Sequence, residues 1–256
     1  NISCFNNDYL FQYNLPRMKE LYQKTLLNPV SFEGVGLHSG KKVKIKILPG
    51  EENQGLIFKR VDLKKNNLIA ANYKNVSSAK LCTTLENNYG VKISTVEHLL
   101  AALYIIGIDN AIIEVDNEEV PIMDGSAKLF LNILEKTHIK TLSKKIKYLK
   151  ILDKVELMDG SKKISIEPSD NFEVDFQLNY QNRIIGNQRN LVNFQKDNLN
   201  EIIESRTFCL FEDIEKIKKF GLAKGGSLDN AVVVDGEKVL NVNGLRNKKE
   251  FVNHKI

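Results

Sequence analysis

Segments with a strand pattern followed by segments with a helix pattern occur in the same order twice along this chain, and this order limits the fold more than any other feature. In the first half, Val43, Ile45 and Ile47 alternate with lysines, as in a strand with one buried face. In the second half, apolar residues alternate strictly over 172–180. Strands and then helices, given twice, are typical of α+β proteins. We therefore predict two similar α+β domains that face each other, each a small, mainly antiparallel sheet with helices.

The predicted domain boundaries follow changes in composition. Residues 1–21 are polar and irregular, and we expect them to form a disordered or non-native extension, with Met18 as the natural start. We expect the first α+β domain over 22–142 and the second over 143–256, joined by the lysine-rich stretch 140–150. Since no sequence repeat relates the two halves, the duplication is inferred from the order of elements alone.

One predicted helix, starting near Ser94, carries a carboxylate and an imidazole in its first turn. Apolar residues recur at helical spacing up to Ile106, and Gly107 is placed to end the helix. Neighbouring helical residues point about 100° apart. Glu97 and His98 therefore have different roles, for example metal binding by one and contact with what the metal holds by the other. Alternatively, Ser94-x-x-Glu97 is a capping box, and this segment alone does not decide between the two interpretations.

Candidate metal ligands are few, because the chain has four histidines. Hydrolysis of an amide at neutral pH needs an activated water, which a zinc ion can supply. His98 and His254 lie at the starts of predicted helices, one in each half, so a zinc site between the halves would use both. Catalytic zinc usually has three protein ligands. Glu250, four residues before His254, could substitute as a ligand on the same helix face, but it is a poor candidate because it can precede the helix.

Other polar and aromatic residues near these histidines have a functional and a structural interpretation. Lys255 could place an ammonium near an oxyanion, or be a solvated lysine. Thr207 is a candidate hydroxyl donor, and Phe208 could line an apolar passage, although packing in the core is the usual role of Phe. The glycines before Ser227 let the backbone approach a ligand, or form a turn.

Composition excludes several classes of protein. A hydrophobic fraction of 42% with 27% charged residues is ordinary for a globular protein, and no apolar run approaches the roughly 18 residues of a membrane helix. The first residues lack a signal-peptide pattern. The three cysteines are scattered without a Cys-x-x-Cys spacing, so we expect neither a disulfide framework nor a Cys-type zinc site. This usage favours a reducing cytoplasm.

The net charge and the distribution of lysines indicate which classes of partner the protein can bind. The net charge is +5, but the lysine doublets are spread along the chain, so a dedicated nucleic-acid-binding arm is not expected. A mildly basic surface suits a phosphate-bearing substrate or peripheral contact with an anionic membrane surface. We expect a monomer that binds a small molecule and no nucleic acid.

Six short motifs occur in an order that resembles a known family. Together they are similar to the zinc-dependent UDP-3-O-acyl-N-acetylglucosamine deacetylases of lipid A synthesis, over a region from about Tyr22 to Ile256. The motifs are Gly-Val-Gly-Leu-His-Ser-Gly (34–40), Ser-Thr-Val-Glu-His-Leu (94–99), Pro-Ile-Met-Asp-Gly-Ser (121–126), Arg-Thr-Phe (206–208), Gly-Gly-Ser-Leu-Asp-Asn (225–230) and Phe-Val-Asn-His-Lys (251–255).

The resemblance implies a fold, a reaction and a set of site residues. The helices of two similar domains would pack between two sheets, and the enzyme would release acetate from the glucosamine nitrogen of a UDP-linked, acylated sugar. His98 and His254 resemble the Zn²⁺ ligands and Glu97 the general base. Thr207 would help to hold the oxyanion, and Lys255 would lie near the charged part of the substrate. A hairpin-like segment around 180–192 would form much of the acyl passage. The substrate contacts implied by the resemblance are Phe208, Gly226, Ser227, Cys82, Ile184 and Gly186.

Two parts of the family pattern are missing from this sequence. After the His-Lys pair the family has an aspartate as third zinc ligand, and further on a histidine that acts as general acid. We therefore expect the chain as given, which resembles a C-terminally truncated member, to bind zinc poorly and to be weakly active or inactive. The alternative is a truncated fragment or non-catalytic homologue that binds nucleotide-sugars or acyl chains.

Overall fold

The computed structural model describes the backbone of residues 2–5 and the whole of residues 21–256. The prediction of an extension over 1–21 lies mostly outside these residues. The strands up to residue 151 are β1 (Ile2–Phe5), β2 (Tyr22–Leu26), β3 (Val30–Val35), β4 (Lys42–Pro49), β5 (Leu56–Arg60), β6 (Leu68–Ala70), β7 (Val76–Ser78), β8 (Thr84–Glu86), β9 (Lys92–Ser94), β10 (Ala111–Val115), β11 (Ile139–Lys145) and β12 (Tyr148–Ile151). The later strands are β13 (Val155–Asp159), β14 (Lys162–Ile166), β15 (Glu173–Asn179), β16 (Asn187–Asn193), β17 (Phe208–Leu210), β18 (Val232–Asp235) and β19 (Lys238–Val239).

The helices within these residues are short. They are α1 (Glu97–Ile106), α2 (Lys128–Leu134), α3 (Asn200–Ile203), α4 (Phe211–Lys219) and α5 (Glu250–Lys255), with a single 3₁₀ turn at Tyr73–Asn75. In residues 2–5 and 21–256, no helix has both the length and the apolar character that crossing a membrane would require.

A five-stranded sheet with the order β3-β4-β10-β5-β6 organises the first half of the chain. Its neighbouring strands are antiparallel except for β5 and β10, which are parallel. The predicted alternation along β4 is confirmed, because Val43, Ile45 and Ile47 are buried while the lysines between them are exposed. Helices α1 and α2 cover the buried face through residues such as Leu99 and Phe130.

The three-stranded sheet β7-β8-β9 leads the chain into α1. Strands β8 and β9 pair antiparallel and form a hairpin around 87–90. Helix α1 ends where predicted: Gly107 adopts a left-handed conformation (φ 81°) and its N–H donates to the carbonyl of Leu103. Leu99 and Leu103 of the predicted apolar face are fully buried.

A second apolar cluster occupies the later part of the chain. It joins Leu178, Val232 and Phe251 from the β15–β16 hairpin, the β17-β18-β19 sheet and α5. The α+β class with mainly antiparallel sheets is therefore confirmed. The strands of this half are divided among small two- and three-stranded sheets rather than joined in one.

The two clusters contact each other through helices and backbone segments. Ile203 of α3 packs against the first cluster, and the N–H of Thr207 donates to the carbonyl of Gly125 (2.7 Å). Gly125 has a φ of 83°, and a Cβ atom there would lie 2.1 Å from the carbonyl oxygen of Asn230. Only glycine meets both requirements, so the backbones of the two halves approach closely at this point.

Candidate active site

A cavity of about 540 Å³ lies where the N-terminus of α1 meets α5. The first half contributes Glu97 and His98, and the second contributes Thr207, His254 and Lys255. The cavity therefore brings together the residues predicted for the metal, the base and the oxyanion.

His98 and His254 face each other across this junction, with ring centroids 5.2 Å apart and an interplanar angle of 76°. Burial lowers the pKa of His98 to about 4, and burial and the neighbouring His98 lower that of His254 well below its ordinary value. Both imidazoles are therefore neutral near pH 7. Nδ1 of His98 is buried without a hydrogen-bond partner, so it is free to coordinate another group.

Glu97 does not form the capping box that its spacing from Ser94 suggests. Its carboxylate accepts a hydrogen bond from the N–H of Thr83 (3.1 Å), while the N–H of Ser94 donates to the carbonyl of Glu118 (2.9 Å). Burial raises the pKa of Glu97, against smaller opposing effects of the Thr83 hydrogen bond and Lys255. A carboxylate whose pKa is raised by burial is a stronger base than an exposed one.

The start of α1 is fixed by a residue that sequence reasoning missed, Glu119. Thr95 has an unusual φ of 57° for a residue with a branched side chain, and its hydroxyl donates to the carboxylate of Glu119 (3.0 Å). The same carboxylate accepts the N–H groups of His38 and Ser39, both at 2.8 Å, and Glu119 is 1% exposed. An acidic residue directly before the apolar segment 120–122 was the only signal in the sequence.

Lys255 and Phe208 line the cavity together with Glu97. The ammonium of Lys255 lies 5.5 Å from the centroid of the Phe208 ring, and burial lowers the pKa of Lys255 against the opposing charge of Glu97. The Phe208 ring also contacts Phe251 (5.0 Å) and His254 (6.0 Å). Phe208 thus serves both the core and the cavity, the two roles that the sequence left open.

The residues present supply two ligands for a metal ion. His98 and His254 fit such a role because both are neutral, and Nδ1 of His98 has no other partner. In the described part of the chain, no group of three or more His, Cys, Asp and Glu side chains is placed to hold a metal. Glu250, the poor candidate for substitution, lies within α5 rather than before it. It is not available as a ligand, because both of its carboxylate oxygens accept hydrogen bonds from Arg206 and from the backbone of Arg246.

The predicted substrate contacts divide into two groups. Cys82, half-buried, lines the cavity together with Phe208, whereas Gly226, Ser227, Ile184 and Gly186 do not. Residues 182–186 form the turn of the β15–β16 hairpin, and Ile184 packs against the second apolar cluster. The glycine-rich segment near 225 packs instead against the turn at 36–40, where the N–H of Gly225 donates to the carbonyl of Leu37 (3.0 Å).

An apolar wall of the cavity was not predicted. It is formed by aliphatic residues of α1, α3, β17 and α4, which are Ala101, Ile105, Ile203, Leu210 and Ile217. The helical spacing of Ala101 and Ile105, and of Ile214 and Ile217 in α4, was visible in the sequence. Which of these faces borders a cavity depends on how the two halves pack.

Comparison with known proteins adds independent evidence. The family model described as UDP-3-O-acyl N-acetylglycosamine deacetylase matches residues 23–256. A protein named UDP-3-O-acyl-N-acetylglucosamine deacetylase from Nautilia profundicola is 42% identical over 235 residues, which cover 91% of this chain and 79% of that protein. Proteins of the same name are 44% identical in Shewanella frigidimarina, covering 92% and 78%, and 38% identical in Phenylobacterium zucineum, covering 92% and 81%. Because the family model matches residues 23–256 and these relatives are 38–44% identical over more than nine-tenths of this chain, the chain belongs to the UDP-3-O-acyl N-acetylglycosamine deacetylase family.

Proposed function

We propose that this protein hydrolyses the acetamide of UDP-3-O-acyl-N-acetylglucosamine, releasing acetate in lipid A biosynthesis. The observation that carries this proposal is the pair His98–His254 beside Glu97 and Lys255 in a cavity with an apolar wall. The family assignment and the names of the relatives support the same reaction.

Zn²⁺ is the cofactor that suits this site, with His98 and His254 as two of its ligands. When bound, zinc would polarise the acetamide carbonyl and lower the pKa of a coordinated water. Two neutral nitrogens from different halves of the chain are the ligand type that zinc prefers, and the unpartnered Nδ1 of His98 supports this assignment.

Other residues of the cavity would transfer protons and stabilise the negative charge that develops on the carbonyl oxygen. The buried carboxylate of Glu97 takes a proton from the attacking water, because its raised pKa makes it a suitable general base near neutral pH. The bond between the acetyl carbon and the glucosamine nitrogen then breaks, and the nitrogen takes up a proton as it leaves. Lys255, whose charged form is favoured by Glu97 against the effect of burial, would supply positive charge where the carbonyl oxygen becomes negative. The hydroxyl of Thr207, a residue that also lines the cavity, is the candidate second donor to this oxygen.

The apolar wall indicates how the acylated sugar lies. The aliphatic side chains of Ile105, Ile203, Leu210 and Ile217 line the cavity and would contact the 3-O-acyl chain. We infer that the enzyme acts in the cytoplasm as a monomer, with at most peripheral contact with the membrane surface.

The experiment is a direct assay of acetate release from UDP-3-O-acyl-N-acetylglucosamine. The protein should be purified both as this 256-residue chain and from its complete gene, and assayed before and after chelation and re-addition of Zn²⁺. UDP-N-acetylglucosamine without an acyl chain is the matched control substrate, for which we expect much slower turnover. If the protein from the complete gene, loaded with zinc, releases no acetate from the acylated substrate, the proposal is wrong.

A non-catalytic role in binding nucleotide-sugars or acyl chains is the second candidate. It is favoured by one observation, that the described residues bring together two rather than three metal ligands. Calorimetry would then detect binding of the acylated substrate without acetate release at any zinc concentration.

A further inference from the structure

A buried ion pair outside the cavity links the segments that carry His254 and Thr207. Glu250 is fully buried, and Arg206 is 7% exposed. Nε of Arg206 donates to Oε1 of Glu250 (2.7 Å), and Nη2 donates to Oε2 (3.2 Å). A bidentate pair of this kind fixes the relative orientation of its partners more strictly than a single contact.

The backbone reinforces this pair. The N–H of Arg206 donates to Oε1 of Glu250 (3.1 Å), and the N–H of Arg246 donates to Oε2 (2.7 Å). Each carboxylate oxygen therefore has two donors, and one donor is the peptide group between Ser205 and Arg206. The other end of that peptide group, the backbone of Ser205, interacts with the ring of His254 and raises its pKa against the larger lowering effect of burial.

Through these contacts, Glu250 is connected to two residues of the site, His254 and Thr207. His254 lies four residues later on α5, so its Cα moves with Glu250, while its ring is oriented by the Ser205–Arg206 peptide group that Glu250 binds. Thr207 directly follows Arg206. Partners behind a metal-binding histidine commonly fix its ring orientation.

We propose that Glu250 is a positioning residue, which through Arg206 holds the ring of His254 against His98 and the Thr207 segment beside them. This proposal rests on the proposed function for its catalytic meaning, but the geometry that it predicts can be measured without any reaction. Removing a buried charge partner is also costly for stability, so a stability change alone does not test the proposal.

The test compares Glu250→Gln and Arg206→Lys with the unaltered chain by NMR, in metal-free protein labelled at histidine ring carbons. The chain has four histidines, so the spectrum can be assigned by single substitutions. With ring centroids 5.2 Å apart, His98 and His254 should give a ring-to-ring NOE. We expect each variant that remains folded to lose most of this NOE and to shift the His254 signals. Arg206→Lys keeps the positive charge but not the bidentate geometry, and so covers the case in which Glu250→Gln fails to fold.

The matched control is Asp175→Asn, which breaks another bidentate arginine pair, that of Asp175 with Arg189, on the exposed surface of the β15–β16 hairpin. We expect this variant to keep the NOE and the His254 signals. If a folded Glu250→Gln or Arg206→Lys protein also keeps both, Glu250 does not position His254 and the proposal is wrong.

A second measurement connects the geometry to catalysis. In zinc-loaded protein from the complete gene, Glu250→Gln should lower kcat or zinc affinity by about 10- to 100-fold with little change in KM, and Asp175→Asn should change neither. If wild type releases no acetate while the NOE behaves as expected, the proposed function fails and the positioning role stands. If wild type is active and the Glu250→Gln protein retains full kcat and full zinc affinity, the positioning role fails and the function stands.

Discussion

At the scale of single residues, the site consists of ionisable groups held where water cannot fully solvate them. Burial lowers the pKa of His98, His254 and Lys255 and raises that of Glu97. All four shifts favour the neutral form of the group. A neutral imidazole can bind a metal, and a more basic carboxylate can accept a proton, so the same burial suits both histidines and Glu97 to their proposed roles.

We expect Glu97→Gln to abolish most of the deacetylase activity without loss of bound zinc. The amide retains the size of the side chain but cannot accept a proton, so kcat should fall by about 10²- to 10⁴-fold while bound zinc stays unchanged. Acetate release and metal content measure the two effects separately. Glu114→Gln, which breaks a surface pair with Lys59, is the control and should leave kcat intact. Wild-type turnover in Glu97→Gln would exclude Glu97 as the base.

The metal-free protein should lose stability as the pH falls from 7 to 5. The pKa of His98 is about 4 in the folded chain, against 6.5 for an ordinary histidine. Between these values the unfolded chain takes up a proton that the folded chain does not, so acid favours unfolding by up to about 1.4 kcal/mol per pH unit for this residue. Above pH 7 this contribution is constant. Urea unfolding with a chelator at several pH values measures it.

His98→Gln serves as the comparison for this pH dependence. It removes one titrating group, so its free energy of unfolding should vary less between pH 7 and pH 5 than that of wild type. Equal slopes for the two proteins would show that His98 titrates normally in the folded state.

The sequence predicted the Glu97–His98 pair but not what surrounds it. Adjacent positions on a helix already fix the angle between two side chains. The predicted capping box does not form, because the helix begins at Glu97 rather than just after Ser94. Thr95, before the helix, has a positive φ, and its hydroxyl donates a hydrogen bond to Glu119. Contacts made across 24 residues, such as that between Thr95 and Glu119, leave no local signal.

At the scale of elements, α1 depends on how its two ends are capped as well as on its buried apolar face. Val96 makes no side-chain cap hydrogen bond at the N-terminus, and Gly107 closes the C-terminus in a left-handed conformation. Because α1 carries both Glu97 and His98, its stability determines how well the first half of the site is ordered.

Gly107→Ala should destabilise the protein by about 1 kcal/mol, because a side chain at a φ of 81° is strained. Chemical denaturation measures the change. Gly226→Ala is the control, since its φ is not in the left-handed region and an added Cβ would meet its nearest neighbours at 3.4 Å or more; its unfolding free energy should change by less than about 0.5 kcal/mol. Equal effects of the two substitutions would contradict the role of Gly107 as a cap.

Elements with a clear repeat were predictable, and those defined by tertiary packing were not. The alternation in β4 and β15 and the glycine after α1 identify each element from local sequence. The strands of the second half were expected in one sheet and instead form several, because alternation shows that a strand has a buried face but not which strand lies beside it.

At the scale of the whole molecule, Arg246 links the two halves. Its Nη1 donates to Oδ2 of Asp124 (2.9 Å), to the hydroxyl of Ser126 (3.3 Å) and to the carbonyl of Glu204 (2.9 Å). The charge of Asp124 raises the pKa of His98 against the larger lowering effect of burial, so this contact joins the metal-binding side of the first half to the α5 side of the second.

Arg246→Met should lower the free energy of unfolding by about 1.5–3 kcal/mol, the range for hydrogen bonds to a charged group. Oδ2 of Asp124 loses its donor, and because the side chain is only 14% exposed, water replaces this contact poorly. Arg183→Met is the control, because its pair with Glu237 is largely exposed and such pairs contribute little. Denaturant titrations of the two variants measure the difference, and similar losses in both would show that the Asp124 contact is not a structural link.

A contact between residues 122 positions apart could not be predicted from the chain alone. The motif that contains Asp124 and the final helix were each recognisable, but their pairing depends on how the halves pack. The same holds for the absence of Ile184 and Gly186 from the cavity, since a hairpin turn can point toward a site or away from it.

The close approach at Gly125 has a genetic consequence. A methyl group there would press on the carbonyl of Asn230, lie 3.4 Å from Cγ2 of Thr207 and push the two halves apart, although no site residue is itself replaced. The added methyl group would lower the free energy of unfolding, so the variant would unfold at a lower temperature than the wild type. Gly125→Ala is therefore a rational choice for a temperature-sensitive allele, active at low growth temperature and lost on warming.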